Sequence, residues 1–226
     1  MERVICLVLG YVFGLFQTSY IYGKFKHVDI REYGSGNAGT TNAMRTLGRK
    51  AGVITYIGDC LKAIICSFLV CFIFKDRVDQ GMLVVLRMYA GVGVMLGHIF
   101  PFYMGFKGGK GIAAASGVVI SLFDFKIIVI ELLLFIAVVK ISRYVSLGSL
   151  TITLAFLIEM IVFNELHILG FFNNTYVPAP EKYELYLVIL FIVAIAWYKH
   201  KANIKRLLNG TESKIKDKKS KNAKTE

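Results

Sequence analysis

Long apolar runs, broken by short polar stretches, set the pattern of this chain. Mostly apolar residues fill about 3–22, 52–74, 82–100, 112–123, 126–141, 146–164 and 183–199, and polar segments lie between them at 24–51, 75–81, 101–111, 142–145 and 165–182. Roughly 20 apolar residues in a helix cross the hydrocarbon core of a bilayer, so the pattern predicts an all-α polytopic membrane protein. The run 112–141 is interrupted by Asp124 and Lys126, which allows either one long span or two helices with a turn. The N-terminal stretch runs on to Tyr22 without a small-x-small cleavage site, so it reads as a retained helix.

Charge decides between the two readings of 112–141. With seven spans and the N-terminus outside, the inner segments 24–50, 101–111, 140–145 and 199–226 hold 20 Lys+Arg, against 4 on the outer ones (Lys75, Arg77, Lys126 and Lys182). That asymmetry is what the positive-inside rule demands. The expectation is a bundle of seven transmembrane helices over 1–208, N-terminus out and C-terminus cytoplasmic. A Lys-rich, solvated tail is expected over 209–226.

Composition agrees and narrows the class. Hydrophobic residues are 56% of the 226 and charged ones 19%, below the roughly 25% of soluble domains; mean hydropathy is +0.60. A soluble globule, a disordered chain and a nucleic-acid module are poor readings, and the net charge of +12 points to an anionic membrane face. The four cysteines lie in apolar runs without paired spacing and read as reduced. No ligand cluster surrounds the histidines, so no metal is expected. Gly10–Gly14 and Gly93–Gly97 are GxxxG pairs suited to helix packing.

Chemistry concentrates in three polar segments, all on the expected cytoplasmic side. In GSGNAGTTNAMR (Gly34–Arg45), Gly34, Gly36 and Gly39 let backbone N–H groups converge on an anion. Ser35, Asn37, Thr40, Thr41 and Asn42 add neutral donors, and Arg45 adds a planar cation. In FKGGKG (Phe106–Gly111), Lys107 and Lys110 sit among Gly108 and Gly109 just before an apolar helix, a ready anion site. In the third, at the exit of the last span, His200, Asn203 and Arg206 are spaced to share one helical face. Arg143, Ser146 and Ser149 join the same side. Asp59 and Lys62, at i,i+3 inside the second span, read equally as mutual neutralisation and as a functional pair. GSGNAG fits a dinucleotide fingerprint only formally, because no strand precedes it, and GGKG lacks the Ser/Thr of a P-loop.

At these segments the sequence resembles the acyl-phosphate:glycerol-3-phosphate acyltransferase family of bacterial membranes. Its pattern runs GSGN-P-G-A-TN…R, then GH…P…F-KGGKG, then H-R-x-NI-x-RL…G-x-E. Here those are Gly34–Arg45, Gly97-His98…Pro101…Phe106–Gly111 and His200–Glu212. Ala38, Thr40, Ala114 and Lys201 depart from it. The resemblance implies transfer of a fatty acyl group from acyl phosphate to the 1-hydroxyl of sn-glycerol 3-phosphate, giving lysophosphatidic acid and phosphate. It implies no cofactor and a multi-pass location in the bacterial inner membrane. Ser35, Lys110, His200 and Asn203 are then the candidate catalytic residues. Gly34, Ser35, Gly36, Asn37, Thr41, Arg45, Lys107, Gly108, Gly109, Lys110, Arg143, Ser146, Ser149, Asn203 and Arg206 are the candidate substrate ligands. None of the four histidines has Asp five positions on, so the H-x-x-x-x-D dyad of other glycerol-phosphate acyltransferases is missing. The rival reading is a secondary transporter or channel for a phosphorylated solute. A membrane anchor with a basic tail is a third, and it leaves the three polar segments unexplained.

Overall fold

The computed structural model describes residues 1–170 and 175–215. Among them the chain is helical: α1 (Glu2–Gly14), α2 (Thr18–Phe25), α3 (Thr40–Leu47), α4 (Arg49–Phe74), α5 (Gln80–Ile99), α6 (Ile112–Ser121), α7 (Phe125–Ser142), α8 (Val145–Glu165), α9 (Glu181–Lys199) and α10 (Lys201–Leu208). Four stretches, Glu2–Phe25, Arg49–Phe74, Gln80–Met104 and Val145–Glu165, are long and apolar enough to cross a membrane; α9 is too when taken with α10, from which it is bent by 62°.

Each apolar run expected from the sequence is helical, with three differences. The run 3–22 is two helices, because the chain turns to extended geometry at Gln17 (φ −104°, ψ 90°). The run 112–141 turns at Leu122–Asp124: the Asp124 carboxylate caps α7 by accepting from the Lys126 N–H at 3.0 Å, and its other oxygen accepts from Gly170 N–H at 2.7 Å. The polar segment 24–51 holds a helix of its own, α3. The expected tail does not leave the fold at Asn209. Its first residues return to the bundle, where Ile215 N–H donates to the Arg143 carbonyl at 2.9 Å; residues 216–226 lie outside the described residues.

Helix α5 is the axis of the bundle, with Leu86, Met88, Val94, Met95 and Ile99 fully buried. Helix α1 lies against it at backbone contact, and glycine is what permits this. A Cβ on Gly10 or Gly14 would fall 2.1 and 2.3 Å from the carbonyl oxygens of Ala90 and Val94; one on Gly93 or Gly97 would fall 2.2 Å from those of Leu7 and Tyr11. The two GxxxG pairs therefore face each other, as van der Waals packing between helices in lipid favours. Helices α4 and α6 meet the same way, Gly117 against the Cys60 carbonyl. All four cysteines are free thiols.

A Gly93→Leu variant must push α1 off α5. Overpacking of this kind costs about 1–3 kcal/mol and sometimes more. A lower melting temperature in detergent is expected, and an unchanged one would contradict the packing described.

Candidate functional site

At one end of the bundle, a cavity of about 730 Å³ is lined from α3 and the loop before it, α4, the end of α5, the start of α6, α7, α8, α9 and α10. Its size lies within the range of small-molecule sites.

The first wall is the loop Tyr33–Gly39 leading into α3. Asn42 holds it in shape: its Oδ1 accepts from the Ser35 N–H at 2.9 Å, while its Nδ2 donates to the carbonyls of Ile30 and Tyr33 at 2.9 and 3.0 Å. Gly34 has φ +61°, and a Cβ there would meet Asn42 Oδ1 at 2.3 Å, so both conformation and space select glycine. Asn37 Nδ2 donates to the Ser35 carbonyl and Oγ at 3.2 and 3.3 Å. Gly34, Ser35, Asn37, Thr41 and Arg45 all line the cavity.

The second wall is the loop into α6. Gly108 N–H donates to the Ile99 carbonyl and Gly109 N–H to that of His98, both at 3.1 Å. The loop therefore hangs from the free carbonyls at the end of α5. A Cβ on Gly108 would lie 2.0 Å from His98 O, and one on Gly109 would lie 2.2 Å from His98 Nε2. These glycines let the loop cross directly over α5 and so place Lys110 in the cavity.

The third wall is the α9–α10 bend at His200. His200 Nδ1 lies 2.8 Å from the Ala196 carbonyl; a carbonyl only accepts, so the proton sits on Nδ1 and Nε2 is left as an acceptor when the ring is neutral. Lys110 Nζ donates to Asn203 Oδ1 at 2.5 Å, and Asn203 Nδ2 donates to Glu212 Oε1 at 2.7 Å. The other Glu212 oxygen accepts from Arg206 Nε at 2.6 Å, and Ser146 Oγ donates to Oε1 at 3.0 Å. The shared face expected for His200, Asn203 and Arg206 is present, and all three line the cavity with Ser146 and Ser149.

Glu212 is the residue that sequence reasoning passed over. It lies in the stretch read as tail, yet its side chain is only 7% exposed. Its place at the end of the third motif was the available signal. Burial raises its carboxyl pKa, but hydrogen bonds from Asn203, Arg206 and Ser146 outweigh this and hold it below the usual carboxylate range. Burial depresses the Lys110 ammonium; Glu212 supports it and Arg206 and Arg45 oppose it, leaving a pKa of about 8. Gly36, Lys107, Gly108, Gly109 and Arg143 lie outside the lining. Lys107 is exposed, and Arg143 caps α7 in a left-handed conformation, φ +67°. Two buried groups line the floor that were not among the expected ligands, Asp59 and His98.

Among the described residues no cluster of three His, Cys, Asp or Glu side chains could hold a metal ion. The cavity offers cations, amides and hydroxyls, a set suited to anionic oxygens. It also has an apolar side, with Tyr56, Ile112, Ala113 and Phe135.

The glycerol-3-phosphate acyltransferase family model matches residues 4–210. The glycerol-3-phosphate acyltransferase of Chlorobaculum tepidum is 39% identical over 92% of this chain and 94% of its own. That of Clostridioides difficile is 40% identical over 96% and 97%. The crystal structure of PlsY (YgiH), an integral membrane glycerol 3-phosphate acyltransferase, in its glycerol 3-phosphate form, superposes with a TM-score of 0.78 at 30% identity over 96% of both chains.

Inorganic phosphate binding to the purified protein is expected to weaken as pH rises through about 8, where the unliganded Lys110 loses its proton. A Lys110→Arg variant keeps its charge and should hold phosphate at higher pH. Glu212→Gln removes the anion that supports the ammonium and should move the midpoint to lower pH. Calorimetric titration from about pH 7.5 to about pH 10 checks all three, and a flat profile for the parent protein contradicts the assignment.

Proposed function

The chain belongs to the glycerol-3-phosphate acyltransferase family, and from that premise we propose the donor, the residues and the orientation of its reaction. It is an integral membrane enzyme that transfers an acyl group to glycerol 3-phosphate in phospholipid synthesis. The transporter reading falls with that assignment. The donor is acyl phosphate and the acceptor oxygen is the 1-hydroxyl of sn-glycerol 3-phosphate. Both substrates carry phosphate, so the site must hold two multiply charged groups close together. The convergence of Arg45, Lys110 and Asn203, from three distant segments, on one cavity is the observation that carries this reading.

Ser35, Asn37 and Thr41, with Arg45 and Lys110, hold phosphate oxygens. Gly34 and Gly36 free the backbone of their loop to bend round them, and Gly108 and Gly109 set Lys110 in reach. Asn203, Arg206, Ser146 and Ser149 face them and orient glycerol 3-phosphate, while Lys107 and Arg143 add positive field at the rim. The acyl chain leaves along the apolar side past Tyr56, Ile112 and Phe135 towards lipid.

The hydroxyl oxygen attacks the acyl carbonyl carbon, the carbon–oxygen bond to the phosphoryl group breaks, and phosphate leaves with the electron pair. Phosphate is a good leaving group, so alignment and charge stabilisation meet a large part of the barrier. The hydroxyl proton passes to the bound glycerol 3-phosphate's own phosphate or to His200 Nε2.

Seven spans (α1 with α2, then α4, α5, α6, α7, α8 and α9) with the N-terminus outside place all these segments on the cytoplasmic face of the bacterial inner membrane. The 20-to-4 distribution of Lys+Arg supports that orientation.

Purified protein in detergent, given acyl phosphate and glycerol 3-phosphate, is expected to release phosphate with no membrane gradient. Arg45→Ala and Asn203→Ala should each lower kcat/KM by at least about tenfold, the loss of one charge-assisted contact. A His200→Ala variant with near-full turnover would assign the proton to the substrate phosphate instead. No phosphate release by the parent protein would sink the donor assignment.

A further inference from the structure

Beneath the GGKG loop lies a buried chain of polar groups that the reaction as described does not use. Asp59 and Lys62 on α4 and His98 on α5 are 1%, 4% and 2% exposed. Lys62 Nζ donates to Asp59 Oδ1 at 3.0 Å and to the Phe16 carbonyl at 2.7 Å, and lies 2.8 Å from His98 Nδ1. Thr18 Oγ1 donates to the same Asp59 oxygen at 3.1 Å.

An ammonium has only donors. With Lys62 held as an ammonium by the Asp59 carboxylate at 3.0 Å, His98 Nδ1 is the acceptor, and a doubly protonated ring would set two donors 2.8 Å apart. His98 is thus neutral, with its one proton on Nε2. That nitrogen lies where the two anion-binding loops meet: a Cβ on Gly109 would fall 2.2 Å from it and 2.6 Å from the Ala38 carbonyl. His98 lines the cavity, one loop residue from Lys110 on one side and adjacent through Ala38 to Asn37 on the other.

The geometry points to His98 as a catalytic hydrogen-bond donor. Held by Asp59 and Lys62, its Nε2–H reaches the carbonyl oxygen of the acyl phosphate, where negative charge gathers during transfer. This inference rests on the acyl-transfer reading of the cavity. In a mixed anhydride the carbonyl carbon is one oxygen away from the phosphorus, so a donor beside the phosphate ligands stands in reach of its oxygen. As the hydroxyl oxygen bonds to that carbon, the C=O π pair moves onto the carbonyl oxygen. As the pair returns, the bond to phosphate breaks and phosphate leaves with its electrons. His98 keeps its proton throughout, so it is neither general acid nor general base. A preformed donor aimed at a developing oxyanion in a water-poor site acts on the transition state more than on the bound substrate.

Two measurements test this. In the first, turnover is compared for His98→Ala and His98→Gln, since the glutamine amide nitrogen can take the position of Nε2. The alanine variant should lose about 100-fold in kcat with the KM for glycerol 3-phosphate changed less than about twofold, and glutamine should recover at least about tenfold of the loss. An alanine variant within about threefold of the parent, a loss expressed in KM, or equal losses in both variants overturns the assignment; a residue that only supports the fold gives equal losses together with equal falls in melting temperature.

The second measurement needs no activity. ¹⁵N spectra of the full-length protein with labelled histidine, assigned against His98→Gln, should show a neutral ring protonated on Nε2 at pH 7. A proton on Nδ1 or an imidazolium overturns it. If the parent protein itself transfers no acyl group, the reading of the cavity has failed and the donor role falls with it; if the parent is active and the spectra show Nδ1 protonated, the cavity reading stands and the His98 assignment alone is overturned.

Discussion

Inside an apolar bundle, a backbone carbonyl released where a helix ends has no water to turn to, and leaving it unpaired costs several kcal/mol. Three helix ends meet in this protein: the end of α1, the start of α2 and the end of α5. Lys62 and Gln17 answer that demand. Lys62 donates to the Phe16 carbonyl, and Gln17 Nε2 lies within 3.3 Å of the carbonyls of Gly14, Gly97 and His98. The cation is itself balanced by Asp59. Breaking such a buried pair typically destabilises by about 3–5 kcal/mol. The break in the first helix, the end of the central helix and the floor of the cavity are therefore one structural problem with one solution.

Close glycine packing makes that junction possible, because α1 and α5 bring their ends together only at backbone contact. The consequence reaches the chemistry through the GGKG loop. Hung from the last carbonyls of α5, the loop inherits its position from the axis of the bundle. Lys110 is thus carried by the most buried helix rather than by a mobile connector, as preorganised electrostatic stabilisation requires.

Opposite Lys110, Glu212 draws the cationic face together. Arg206, Lys110 and Arg45 repel one another in a partly desolvated space, and a single carboxylate with Asn203 between it and Lys110 ties two of them down. It also keeps the Lys110 ammonium from being depressed further. Three cations held against one carboxylate leave the assembled face with an excess of positive charge, which suits it to anionic oxygens.

Apolar runs, glycine spacing and charge asymmetry are local properties of the chain, and they were enough to give the helices, the packing role of the GxxxG pairs and the segments that meet in the cavity. The bland and functional readings of Asp59 and Lys62 could not be separated by spacing alone, since neutralisation at i,i+3 looks the same whether or not a third residue joins. What joined was His98, 36 positions away from Lys62, brought there by the close approach of α4 and α5. Glu212 was hidden for a related reason: a short polar stretch after the last helix reads as solvated unless one knows that the α9–α10 bend points it back at three donors. Composition and periodicity thus determined which segments form apolar helices and which polar segments gather cations and hydroxyls, because each depends on neighbours in sequence. Partner, tautomer and charge state were decided only by the tertiary structure, because they depend on atoms that folding alone brings within hydrogen-bond distance.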